Sequence, residues 1–195
     1  AYSLINSFNR FSPVYKTLMP YGYPFSYKSI IDKAVAKYDV SPHLLLAVMR
    51  QESRYKEFAR SSADARGLMQ IIPPTGRSIA KALGEKNYQS SMLYEPKISI
   101  TFASWYLDGL LRSFYQNPIL AAAGYNAGPS AVKKWIKNFS HLDTEEFIER
   151  IPYKQTRHYV KLVMENYVNY SFLYGRKMVR LPDTIKGSVK NIVNF

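Results

Sequence analysis

Six consecutive apolar residues, Leu44 to Met49, constrain the fold of this chain more than any other feature. A surface helix keeps a polar face, so a run of this length predicts a helix that is buried all round. Ser41-Pro42 suits its start, because Ser is a common N-cap and Pro is tolerated in the first turn. The run is followed closely by Glu52. Burial disfavours an ionised carboxyl group and raises its pKa, which suits a general acid near neutral pH.

The rest of the chain also reads as almost entirely helical. Residues 54–73 lack a helical period, and we predict an irregular segment there with a small β element. Proline and glycine divide the remainder into segments of helical period. One predicted helix includes Ile30 to Tyr38, and another runs from about Thr75 to Leu83 and stops at Gly84. Four more helices are predicted to begin after Pro96, at Asn117-Pro118, at Gly128-Pro129 and near Thr156.

The composition bounds the function without choosing it. The 195 residues fit one domain, no cysteine is present, and no apolar run reaches the length of a membrane span. Lys and Arg exceed Asp and Glu by 27 to 14, a net charge of +13. Such a field attracts polyanions, among them nucleic acid, an anionic membrane and the acidic bacterial cell wall. Aromatic residues, 15% of the chain, suit sugars or bases equally.

The N-terminal part has a different character. The chain begins at Ala1, residues 1–10 show no signal-peptide pattern, and Phe11 to Phe25 is rich in Pro and Tyr. We interpret residues 1–26 as a connector to an upstream region of a longer protein. Beyond Gly175 the chain turns basic and loses its period, so residues 176–195 are read as a basic C-terminal tail.

Three short clusters carry groups suited to chemistry, and each alone is weak evidence. They are Glu52-Ser53, Gly67-Leu68-Met69-Gln70 and Tyr125-Asn126-Ala127-Gly128. Gly67 allows a positive φ or a close backbone approach, and the Gln70 amide suits sugar hydroxyl or acetamido groups. The Tyr125 hydroxyl is expected to reach Glu52. The three histidines are not spaced as metal ligands, and we expect neither metal nor cofactor.

Taken in order, with Ile151-Pro152-Tyr153, Thr156-Arg157 and Tyr159-Val160, these motifs resemble the catalytic domain of soluble lytic transglycosylases, which are related to goose-type lysozyme. The resemblance covers about residues 27–175. It implies a mainly α fold of the α+β lysozyme-like type, a compact helical domain with a substrate groove and at most a small β element. The Ile-Pro-Tyr element implies the subgroup whose catalytic domain ends a long helical superhelix.

The resemblance also implies roles for individual residues. Glu52 corresponds to the sole catalytic acid and base, and Tyr125 to a tyrosine that orients it. Gln155 stands where Glu is common, which puts the preference for stem peptides in doubt. Ile72 stands where Met is common, as a packing change. Residues implied in substrate binding are Ser61, Gly67, Met69, Gln70, Tyr125 and Asn126, with Gln155 and Arg157 as peptide contacts.

The implied activity is non-hydrolytic cleavage of the β-1,4 bond between N-acetylmuramic acid and N-acetylglucosamine, which forms 1,6-anhydromuramic ends. One glutamate acts as acid and then as base. The implied partners are peptidoglycan strands and their stem peptides rather than nucleic acid. The implied location is the periplasm or bacterial cell envelope, without a membrane span, and we expect a monomer.

Three alternatives stay open at this point. A lysozyme-like hydrolase would use Glu52 to deliver water, which normally asks for a second carboxylate. A non-enzymatic basic module would bind nucleic acid or cell-wall polymer with a steep salt dependence and without Glu52. An envelope scaffold would bind glycan without cutting it.

Overall fold

The computed structural model describes residues 13–139, 141–175, 179–185 and 189. Within these residues the chain forms nine α-helices and one 3₁₀ helix, Ser90–Tyr94. The α-helices are α1 Pro13–Gly22, α2 Lys28–Val35, α3 Pro42–Ser53, α4 Pro73–Leu83, α5 Pro96–Ser113, α6 Pro118–Ala127, α7 Pro129–Phe139, α8 Thr144–Arg150 and α9 Lys154–Gly175. The predicted mainly α architecture is confirmed.

The apolar run of the sequence forms the centre of the fold, as predicted. Every side chain from Leu44 to Met49 is buried, and helix α3 packs chiefly against the long helix α9. Helix α5 contacts α2 and α6, while α6 also contacts α7 and α9. Because α3 is enclosed along its length, its C-terminal end and Glu52 are held in a fixed position.

Proline begins most of the predicted helices, as the sequence indicated. It occupies the first turn of α3, α4, α5 and α6, where its missing N–H costs no helical hydrogen bond. Asn117 caps α6, since its side chain accepts from the N–H groups of Ile119 and Leu120. Ser41 is the N-cap of α3 by position, but its side chain makes no capping hydrogen bond.

The segment from Phe11 to Phe25 departs from the sequence-based interpretation. Helix α1 lies here, with Pro20 inside it, and Met19 and Tyr23 are buried in the core. Tyr23 also receives a hydrogen bond from Asn169 of α9. The helix was not expected from the sequence, and Met19 and Tyr23 pack it on the domain, while its role as a connector to an upstream region stays a prediction. The division at residue 26 stays a prediction.

The segment between α3 and α4 is irregular, as predicted. Its β structure consists of two isolated antiparallel bridges, Arg60 with Arg66 and Arg66 with Ile71. A third bridge joins Asp143 to Thr184, so part of the basic tail returns to the start of α8. In the described part of the chain, no helix combines the length and apolarity that a membrane crossing requires.

Candidate active site

A cavity of about 500 Å³ opens beside the C-terminal end of α3. Its walls come from α3, from the irregular segment that follows, from the start of α4, from α5 and α6, and from the first turn of α9. The lining residues are Glu52, Ser61, Ala63, Ala65, Gln70, Ile71, Ile72, Thr75, Tyr106, Tyr125, Asn126, Ala127, Gly128 and Gln155. Three motifs that lie far apart in the sequence therefore meet around one space.

Glu52 is the acidic group of this cavity. Burial raises the pKa of its carboxyl group to about 7, from 4.5 for an unperturbed glutamate, and a hydrogen bond from Tyr159 opposes that rise. The carboxyl is consequently present in both protonation states near neutral pH. This is the condition under which one group can give a proton and take one back.

The hydrogen-bond partner of Glu52 is Tyr159, which donates its hydroxyl to Oε1 over 2.6 Å. The expectation that Tyr125 makes this bond is not met, because the Tyr125 hydroxyl donates to the carbonyl of Met69 over 2.8 Å. Burial raises the pKa of Tyr125, and the nearby carboxyl group of Glu52 raises it further. Tyr159, not Tyr125, is therefore the residue that holds the Glu52 carboxyl directly.

Gln70 has a fixed amide orientation. Its Nε2 donates to the carbonyls of Ala59, over 3.0 Å, and Gly67, over 2.9 Å. Both N–H donors are used within the protein, so Oε1 is the group available to a ligand. Gln70 can then accept a hydrogen bond but not supply one, a narrower role than the sequence allowed.

Asn126 offers hydrogen-bond donors to the cavity, where Gln70 offers an acceptor. Its Oδ1 accepts the hydroxyl of the buried Thr156 over 2.8 Å, which leaves the Nδ2 donors toward the cavity. The sequence motif that contained Thr156 thus orients a cavity residue 30 positions away. Gln155, the neighbour of Thr156, lies exposed at the cavity rim.

Ser61 lies in the loop that forms another wall. Its Oγ accepts the N–H of Ala65 over 3.1 Å, so its hydroxyl proton can be donated to a ligand. Asp64 in the same loop is ion-paired with Arg60 and Arg66 and is absent from the lining. Ile72 is 40% exposed and lines the cavity, so it is a surface contact rather than a packing residue.

Three of the expected contact residues lie elsewhere. Gly67 and Met69 are buried behind the wall and do not line the cavity, and they act there through backbone groups. Both properties expected of Gly67 are present: its φ is +74°, and an added Cβ would lie 1.9 Å from the carbonyl oxygen of Leu93. Arg157 donates Nη1 to the carbonyl of Glu149 over 2.7 Å, which ties α9 to α8 instead of facing the cavity.

Sequence reasoning assigned no role to Tyr159 or Tyr106. Tyr106 lines the cavity from α5, and its ring lies 5.5 Å from that of Tyr125. Tyr159 belonged to the quoted motif Tyr159-Val160, but nothing in that motif connects it to Glu52. Tyr159 is 107 residues from Glu52 in the sequence, so only the packing of α9 on α3 reveals the pair.

Among the described residues that line the cavity, Glu52 is accompanied by no second acid. Glu57, the next acidic residue along the chain, accepts a hydrogen bond from the Tyr27 hydroxyl over 2.8 Å and lies outside the lining. The described residues also contain no group of three His, Asp or Glu side chains that could hold a metal ion. The fold and site together define a helical domain with one buried carboxylic acid facing a cavity of mixed polar and apolar lining.

Comparison with known proteins identifies a family with this kind of helical domain. The family model described as "Transglycosylase SLT domain" matches residues 29–148. The soluble lytic murein transglycosylase of Salmonella typhimurium is 33% identical over 164 residues, 83% of this chain and 25% of the relative. A putative soluble lytic murein transglycosylase of Haemophilus influenzae is 38% identical over 156 residues, 77% of this chain and 25% of the relative.

A solved structure gives the same result. The 70 kDa soluble lytic transglycosylase of Escherichia coli superposes with a TM-score of 0.77 at 31% identity, covering 80% of this chain and 26% of that one. This chain belongs to the transglycosylase SLT domain family, as its motifs predicted, and it has the fold of that enzyme's matching part. It spans about a quarter of the length of these relatives.

Proposed function

We propose that this chain is a peptidoglycan lytic transglycosylase that cleaves the β-1,4 bond between N-acetylmuramic acid and N-acetylglucosamine. The observation that carries the proposal is the single buried carboxyl group of Glu52, whose pKa is raised to about 7 by burial at the wall of the cavity. The family membership and the names of the relatives support the same reaction.

The two amides of the cavity support an N-acetylated sugar as substrate. An acetamido group has one N–H donor and one carbonyl acceptor. Gln70 offers a carbonyl oxygen and Asn126 offers N–H groups, so the pair complements both ends of that group.

The reaction begins with protonated Glu52 as general acid. It gives its proton to the oxygen that joins the two sugars, and the bond from that oxygen to C1 of the muramic sugar breaks. The carbonyl oxygen of the muramic 2-acetamido group stabilises the cationic C1. The Tyr159 hydroxyl, 2.6 Å from Oε1, stabilises the carboxylate that Glu52 has become.

The second step returns the proton. Ionised Glu52 takes the proton of the C6 hydroxyl, O6 attacks C1, and the 1,6-anhydro ring closes without consuming water. One carboxyl group suffices because it ends the cycle as it began. The usual pair of carboxylates in a glycosidase would serve water or a covalent intermediate, and this reaction needs neither.

The surroundings of the cavity suit the polymer. The net charge of +13 attracts the carboxylates of stem peptides, and Gln155 at the rim is positioned to contact a peptide without adding negative charge. We place the protein in the bacterial envelope, in the periplasm, as a monomeric catalytic unit within a longer helical protein. Peptidoglycan, rather than nucleic acid, is its partner.

Release of soluble fragments from purified peptidoglycan tests this proposal. Glu52→Gln keeps the shape of the side chain but cannot transfer the proton. We therefore expect the rate of fragment release to fall at least about 100-fold. The matched control is Glu57→Gln, which changes a nearby acid outside the cavity and should keep most of the activity. If Glu52→Gln retained its activity, the assignment of Glu52 as the catalytic acid would be wrong.

A further inference from the structure

A second cavity, of about 440 Å³, lies at the same end of α3 but outside the catalytic cavity. Three parts of the chain build it: the end of α1 with Pro24, the last turn of α3 with the two residues beyond it, and the middle of α9. No residue lines both cavities. No acidic side chain is among the described residues that line the second one.

Asn166 supplies a buried donor to this cavity. The residue is only 5% exposed, and its Oδ1 accepts the Nε–H of Arg50 over 3.2 Å. That bond turns the Nδ2 amide group toward the cavity, and no described side chain or backbone group accepts from it. The Nδ2 group is therefore open to the cavity, and it can donate to a ligand that brings an acceptor.

Arg54 supplies a cation beside that donor. It follows the last residue of α3 with φ +51°, and Tyr55 follows with φ +67°, so the chain reverses and places both at the cavity. Within the described ranges, the guanidinium of Arg54 has no carboxylate partner. It therefore keeps its five N–H donors for a ligand.

Arg50 adds a second positive charge in a fixed place. Its Nη1 donates to the carbonyl of Gly22, and its guanidinium lies 4.3 Å from the centre of the Tyr23 ring. The ring of Tyr21, 75% exposed, stands at the cavity mouth. The cavity thus combines guanidinium and amide donors with aromatic and aliphatic walls.

We propose that this second cavity binds a carboxylate of a peptidoglycan stem peptide, an inference that rests on the proposed function for its choice of polymer. Guanidinium groups pair with carboxylates through two parallel hydrogen bonds, and the Asn166 amide adds a third donor. Along α9, Asn166 lies seven residues beyond Tyr159, which is about 10 Å at the rise of an α-helix. A peptide carried by a sugar near Glu52 can span that distance.

Titration with a free stem tetrapeptide, followed by NMR of the side-chain N–H groups, tests the site. The peptide contains no glycosidic bond, so the outcome does not depend on catalysis by Glu52. We expect shifts at Arg54 Nε–H and Asn166 Nδ2, and a loss of affinity of about tenfold or more in Arg54→Ala. The matched control is Arg77→Ala, an exposed arginine of α4 that lines neither cavity and should bind normally.

A tetrapeptide with every carboxyl group amidated should not shift these signals. Equal binding of the amidated peptide, shifts confined to the catalytic cavity, or no binding would each overturn the proposal. Cleavage of intact and peptide-stripped glycan strands then identifies the source of the carboxylate. Slower cleavage by Arg54→Ala on intact strands alone places the peptide on the strand being cut, whereas unchanged cleavage places it on a neighbouring strand.

Discussion

The two cavities at the end of α3 are built from adjacent residues and have opposite chemistry. Among the described residues that line its cavity, Glu52 meets tyrosine rings and two oriented amides but no cation, and burial raises its pKa to about 7. Arg54, two residues later, faces a space lined by arginine and asparagine donors. The C-terminal end of α3 therefore places a carboxylic acid in the catalytic cavity and arginine side chains in the second cavity.

The difference shows how a fixed backbone separates two requirements that conflict. A guanidinium group next to Glu52 would stabilise the carboxylate and lower its pKa, which would remove the general acid. Anchoring an anionic polymer nevertheless requires cations. The left-handed residues Arg54 and Tyr55 turn the chain directly after α3, so the positive charge is directed away from the catalytic carboxyl.

Gly67→Ala is the change expected to break the catalytic cavity most severely while leaving the other intact. The new Cβ would lie 1.9 Å from the Leu93 carbonyl oxygen at a φ of +74°, so the turn that holds Gln70 must move. We expect a loss of more than about 3 kcal/mol in the free energy of unfolding, measured with urea. Binding of the stem peptide at Arg54 should persist wherever the variant is folded.

The control for that change is Gly84→Ala. Gly84 has nearly the same φ, +75°, but an added Cβ there meets nothing within 4 Å. Gly84→Ala should lower the free energy of unfolding by only about 1–2 kcal/mol, the cost of placing an alanine in the left-handed backbone conformation. Equal losses for the two variants would mean that the close approach to Leu93 contributes nothing.

Glu52→Gln should stabilise the fold in a pH-dependent way. In the unfolded chain the carboxyl group has its ordinary pKa of 4.5, and in the folded protein its pKa is about 7. Stability of the wild type therefore falls as pH rises from about 4.5 to 7 and then levels off, while the Gln variant lacks this loss. The difference in unfolding free energy should reach about 3 kcal/mol at pH 8, an upper estimate, and vanish near pH 4. A difference that stays constant with pH would show that Glu52 is not desolvated.

Tyr159→Phe gives the smallest expected effect and the sharpest test of which tyrosine holds the acid. The hydroxyl of Tyr159 stabilises the Glu52 carboxylate, so its removal raises the pKa of Glu52 further. We expect the alkaline limb of the pH–activity profile to move up by about one unit. Tyr125→Phe, which loses a bond to the Met69 carbonyl, should leave that limb in place. The reverse pattern would restore the sequence-based assignment to Tyr125.

Local sequence patterns predicted most of the helices for clear physical reasons. The run Leu44 to Met49 had no polar face, and Asn117-Pro118 joined a capping side chain to a residue with a fixed φ. Helix α1 escaped prediction because Pro20 interrupts its period and its tyrosines resemble a linker. Helix α8, of seven residues, is too short for a period to register.

Only some members of the cavity could be predicted from the sequence, since Gly67, Met69 and Arg157 lie outside its lining, and its hydrogen bonds could not be predicted. Motif order brought Glu52, Gln70 and Asn126 together correctly around one cavity. Which atoms of those residues face the cavity depends on partners such as Thr156 and Tyr159, which the fold brings from distant positions. The second cavity had no motif at all, because its donors come from three separated parts of the chain.

The central claim is that one carboxyl group performs both steps without water, and the mass of the products tests it most directly. Purified peptidoglycan would be digested with the wild type, with Glu52→Gln in parallel, and the soluble muropeptides measured by mass spectrometry. We predict 1,6-anhydromuramic ends, lighter by one water than reducing ends, from the wild type alone. Reducing ends would instead show that Glu52 delivers water, and the protein would then be a hydrolase.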